Sequence, residues 1–102
     1  MNTNNEHKIL VVDDDRSIRE ILAKHLIERG YKVIEAEDGV QAIKILQSES
    51  FDVIITDIKM PRVNGIEVLR YAKENSPDTE VIMMTGYGEM QVAIDAMKMK
   101  AY

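Results

Sequence analysis

Three groups of oxygen-bearing side chains each follow a short apolar run. Asp13, Asp14 and Asp15 come after Ile9-Leu10-Val11-Val12, Thr56 and Asp57 after Val53-Ile54-Ile55, and Thr85, Gly86 and Tyr87 after Val81-Ile82-Met83-Met84. Singly, each group is ordinary. An Asp beyond a strand is most often a helix cap, a role open here to Asp15 or to Ser17, and Thr85 could cap a loop or helix. Their chemistry lies in a shared position. If the runs are parallel strands of one open sheet, their C-terminal ends gather along one edge, where such sheets bind ligands. Asp13, Asp14 and Asp57 would then converge, with the Thr85 hydroxyl on the far side. Like charges that close oppose folding unless they take up protons or a cation, and an all-oxygen set suits Mg2+ or a similar hard ion. A phosphate is the natural missing ligand.

The elements that must position these groups are legible in the same chain. The three runs are continuous rather than alternating, as expected of strands buried on both faces of a parallel sheet. Val33-Ile34, flanked by Lys32 and Glu35, is shorter and reads as an edge strand. Between the runs lie helical periodicities: Ile18, Ile21, Leu22 and Leu26, closed by Gly30; Val40, Ala42, Ile43 and Leu46; Ile66, Leu69 and Tyr71-Ala72; and Met90, Ala93, Ile94, Met97 and Ala101. The first of these predicts a helix over about residues 16–29. Strand then helix, four times over, predicts an α/β fold of flavodoxin-like, doubly wound type, with parallel strand order 2-1-3-4 and room for a fifth strand. Asp52 precedes its strand, which places it at the opposite edge in a turn or capping role. The methionines of the second half read as adaptable core filling.

Composition narrows the function. The 102 residues make one domain, 1–102, with a polar N-terminal tail over residues 1–7. A formal net charge of -5 argues against direct nucleic-acid binding, which needs a basic face to displace counterions. Without cysteine there is no disulfide framework, zinc thiolate site or redox thiol. The polar start does not read as a signal peptide, and no apolar run approaches the roughly 20 residues of a membrane span. The expectation is a soluble, cytoplasmic module with no membrane partner. His7 and His25 have no evident partner and read as surface residues. Gly86 and Gly88 are not followed by Gly-Lys-Ser/Thr, so they do not form a phosphate loop.

Taken together, the segments Lys8-Ile-Leu-Val-Val-Asp-Asp-Asp15, Phe51-Asp-Val-Ile-Ile-Thr-Asp-Ile-Lys-Met-Pro61 with Asn64-Gly65, and Val81-Ile-Met-Met-Thr-Gly86 resemble the receiver domain of two-component response regulators. The resemblance covers almost the whole chain. It implies that Asp57 is the phosphoacceptor, that Asp14 ligates Mg2+ directly, that Asp13 helps directly or through water, and that the backbone carbonyl of Lys59 completes the protein ligands. It further implies that Thr85, with Gly86, binds the phosphoryl group and acts as the switch, the donor being a phosphohistidine on a histidine kinase or phosphotransfer protein. Tyr87 stands where it could shield the phosphoryl group from water. A transcription-regulating output domain attached to the receiver is part of the same expectation. The output is a changed surface rather than a released product, so no enzyme activity is expected.

The family pattern continues with a fifth strand ending in a lysine and a fifth helix, whereas this chain stops at Lys100-Ala101-Tyr102. The catalytic lysine is absent from it, and the chain reads as a receiver truncated before the fifth strand. Strand four would then be an exposed edge open to self-association. Three rivals compete. A haloacid-dehalogenase-type phosphatase would use Asp13-x-Asp15 and leave Asp57 unexplained. A flavodoxin would need a phosphate loop in place of three acids. A phosphate-independent receiver-like scaffold would account for the missing lysine.

Overall fold

A computed structural model of the chain describes residues 7–58, 60 and 63–84. The fourth helical periodicity and the first six residues lie outside these. The order of elements is β1 (Lys8–Val12), α1 (Arg16–Glu28), β2 (Lys32–Ala36), α2 (Gly39–Leu46), β3 (Val53–Asp57), α3 (Gly65–Asn75) and β4 (Glu80–Met84). All pairings are parallel, and the four strands lie in the order β2-β1-β3-β4. This is the predicted flavodoxin-like arrangement, with Val33-Ile34 in an edge strand as expected.

Strand alternation divides the apolar residues between two cores. Leu10, Val12, Ile54 and Val81 point to the side covered by α2 and α3, where Ala42, Val68, Leu69 and Ala72 complete the larger core and Met83 packs against it. Ile9, Val11 and Ile55 point to the other side, against Leu22 and Leu26 of α1 and against Met84. Leu10, Val11, Val12 and Ile54 are wholly buried, as a two-sided parallel sheet requires.

Each helix begins at a cap. Asp15 accepts the amide protons of Ser17 and Ile18 at the start of α1, so Asp15 rather than Ser17 is its cap. Asp38 caps α2, and Asn64 with Glu67 forms a reciprocal capping box on α3. At its far end α1 stops in a Schellman motif, with the Gly30 amide donating to Ile27 and Tyr31 to Leu26. Gly30 has φ of 96°, a conformation that glycine takes without a Cβ penalty.

One expectation needs correction. Ile18 and Ile21 do not face the sheet: they are 49% and 61% exposed, and the buried face of α1 is set by Arg19, Leu22, Ala23 and Leu26 instead. The apolar stripe of α1 is therefore wider than the face it buries here. Asp52 lies at the edge opposite Asp57, as expected, in the bend that leads into β3. Its carboxylate accepts the Lys8 amide at 2.8 Å and its own amide donates to the Lys8 carbonyl at 2.9 Å, which clasps the starts of β1 and β3.

Candidate functional site

The site lies where β1 and β3 end side by side. The β1–β3 register runs to Val12 opposite Thr56, so Asp13 and Asp57 follow that pair at the same level. One carboxylate oxygen from each of Asp13, Asp14 and Asp57 can be chosen so that all three lie within 4.8 Å of one another. The convergence expected from the strand edge is thus present in the fold.

The three acids differ in setting. Asp13 is 3% exposed, Asp57 is half-buried and Asp14 is exposed. Burial, reinforced by the charges of Asp14 and Asp15, pushes the Asp13 carboxyl above its ordinary range; the amide of Asp15 and the guanidinium of Arg19 pull the other way. A cation would relieve the same repulsion that a proton relieves. Asp13 takes the Asp15 amide on Oδ1 at 2.8 Å, which fixes its carboxylate while leaving the other oxygen's lone pairs for a ligand.

Two residues to which the sequence reading assigned no role hold this geometry, although Gly65 stands in one of the motifs that carry the resemblance. Arg19 reaches back from the first turns of α1, its Nη1 donating to the Asp13 carbonyl at 2.9 Å and its Nε to Glu35 at 3.0 Å. Gly65 lies against the strand end itself. A Cβ there would fall 2.9 Å from the Ile58 Cα and well inside contact distance of the Asp57 carbonyl oxygen. Its amide also donates to the Ile58 carbonyl at 2.8 Å. The chain leaving Asp57 can turn back into α3 only because residue 65 lacks a side chain. Lys59, Thr85, Gly86 and Tyr87 lie outside the described residues; the described sheet ends at the pair Asp57 and Met84.

An oxygen-only cluster at the C-terminal edge of a parallel sheet narrows the families in question, and comparison with known proteins decides among them. The model of the response regulator receiver domain matches residues 9–102. The chain belongs to this family. Among curated relatives, the response regulator MprA of Mycobacterium ulcerans is 41% identical over 78 residues, which are 76% of this chain and 34% of the relative. This receiver chain therefore spans about a third of the length of the MprA proteins. Sporulation initiation phosphotransferase F of Bacillus subtilis is 36% identical over 92% of this chain and 76% of its own. Among solved structures, a receiver domain protein from Clostridium thermocellum superposes with a TM-score of 0.88 at 38% identity, covering 94% of this chain and 78% of that one. The response regulator TrrA of Thermotoga maritima, solved in complex with Mg2+ and BeF, gives 0.81 at 36% identity over 89% of this chain and 79% of its own. The phosphatase and flavodoxin alternatives give way to this match. Receiver domains are signalling modules of two-component systems that bind Mg2+ at an acidic pocket, and here Asp13, Asp14 and Asp57 form an acidic cluster.

Proposed function

We propose that this receiver domain takes a phosphoryl group onto Asp57 beside a Mg2+ ion held by Asp13, Asp14 and Asp57, together with the Lys59 backbone carbonyl. The observation that carries the reading is the approach of the Asp13, Asp14 and Asp57 oxygens to within 4.8 Å. That donor set fits the ion: it is all oxygen, it is anionic, and Asp14 keeps it open to water, which Mg2+ retains in part when bound. When bound, Mg2+ supplies charge neutralisation between an anionic nucleophile and an anionic phosphoryl group.

The chain's own residues do the rest. Asp57, at the end of a buried strand, presents a carboxylate oxygen that forms the new O–P bond as the bond from phosphorus to the donor's leaving atom breaks. Asp13, fixed by the Asp15 amide, and Asp14 hold their charges beside it. In this reading the donor is a phosphohistidine on a histidine kinase or phosphotransfer protein, in keeping with the sporulation relative's description as a phosphotransferase. Thr85 and Gly86 receive the new phosphoryl oxygens, Tyr87 limits water access, and the loop that follows β4 changes its surface. The product stays on the protein, so the domain signals rather than turns over substrate. A cytoplasmic setting, an attached transcription-regulating output domain, and self-association through the side of β4 away from β3 belong to the same reading.

The test uses beryllofluoride, a mimic of the phosphoryl group, followed by amide NMR. Shifts at Asp13, Asp14 and Asp57 that need both Mg2+ and beryllofluoride, and that vanish in Asp57→Asn, are expected. Unchanged spectra, or shifts that survive Asp57→Asn, contradict the assignment.

A further inference from the structure

Arg19 is an unusual occupant for the sheet-facing side of a helix. It lies in line with Leu22, Ala23 and Leu26, its side chain is 14% exposed, and its guanidinium spends two donors on partners from two separate segments, β2 and the loop after β1. One partner, Glu35, belongs to β2, where it stands opposite Val11. The other is the backbone carbonyl of Asp13. That carbonyl is part of the planar peptide joining Asp13 to Asp14, so fixing the oxygen also fixes the amide and Cα from which the Asp14 side chain departs.

The same peptide is where the sheet stops supporting β1. The Asp13 amide still donates to Ala36 at 3.2 Å, while the β1–β3 register has ended at Val12. Beyond it, Asp13 holds the Asp15 amide through its carboxylate, and Asp15 caps α1. Arg19, one turn into that helix, closes the ring by returning to Asp13. The structure assigns Arg19, braced by Glu35, as a positioning residue that sets the aim of Asp13 and Asp14 toward a shared cation. This rests on the Mg2+-binding reading above.

A planar fork is needed because the two acceptors lie on separate segments, β2 and the loop after β1; a lysine keeps the charge but presents it as a point on a flexible stem. The test is calorimetric Mg2+ titration of the chain, with circular dichroism in chelator to confirm folding. Partners behind metal ligands are commonly worth 10–100-fold in affinity, so Arg19→Lys is expected to raise the Mg2+ Kd about 10-fold, and Glu35→Ala by less but by more than about twofold. Because Arg19→Lys preserves charge, a purely electrostatic role leaves the Kd unchanged. A purely structural role lowers the thermal midpoint and leaves the affinity of the folded protein alone. A Kd for Arg19→Lys within about twofold of the unsubstituted chain overturns the assignment. Glu35→Ala is read by the same criterion and decides the matter if the lysine variant does not fold. Failure of the unsubstituted chain to bind Mg2+ would instead overturn the site reading, and this inference with it.

Discussion

At the scale of residues, the tightest constraint on the acceptor is the missing side chain at Gly65. Glycine in the middle of a helix loses to alanine by roughly 0.5–1 kcal/mol, but at Gly65, the first residue of α3, the added methyl would press into the Asp57 main chain. The steric cost wins. Gly65→Ala is expected to destabilise the fold by about 1–3 kcal/mol, the range of overpacked sites, and to lower phosphoryl acceptance at Asp57 as well. Thermal unfolding and intact mass on the same sample check both; a variant as stable and as readily labelled as the parent would refute the contact. Asp13, Asp14 and Asp57 were legible in the sequence because the ends of two neighbouring parallel strands, β1 and β3, deliver their groups to one edge. Arg19 and Glu35 were not. An arginine on a helix and a glutamate on an edge strand ordinarily read as solvated, and the main-chain oxygen that Arg19 seeks leaves no mark in a sequence. The one sign was an arginine at three-, four- and seven-residue spacing from Leu22, Ala23 and Leu26.

At the scale of elements, α1 shows how periodicity can find a helix and misplace its face. Ile18, Ile21, Leu22 and Leu26 do recur at helical spacing, yet a stripe that broad leaves the contact line open by about one residue, some 100° of helix rotation. Tertiary contacts chose the line through Arg19, Leu22, Ala23 and Leu26, which the fork to Asp13 and Glu35 anchors at one end. Ile21→Gln should therefore shift stability by no more than about 0.5 kcal/mol, as for other exposed sites. Leu22→Ala should cost about 1–2 kcal/mol, since that leucine is only partly buried. Urea unfolding of the two variants measures the difference, and equal losses would mean that α1 is turned otherwise. The end of α1, by contrast, was readable in the sequence: Gly30 marks it because its backbone conformation excludes most other residues.

At the scale of the whole molecule, the alternation of strand and helix foretold a parallel sheet between helices, and the observed order β2-β1-β3-β4 is the flavodoxin-like one. The continuous apolar runs marked the central strands β1 and β3 but also β4, which stands at one end of the described sheet, while the short run marked β2 at the other. Order and register together bring the ends of β1 and β3 level, so the site follows from the architecture more than from any single motif. The supports around it depend on contacts between residues distant in sequence, such as Arg19 with Glu35, and only the folded chain displays those. The central claim is that Asp57 accepts a phosphoryl group with the help of the acidic trio. Intact-mass spectrometry after incubation with acetyl phosphate tests it most directly, with Mg2+ or chelator present and with Asp57→Asn alongside. The account predicts the gain of one phosphoryl group in Mg2+ alone, abolished by the substitution; a gain that persists in chelator or in Asp57→Asn, or none in any condition, would contradict it.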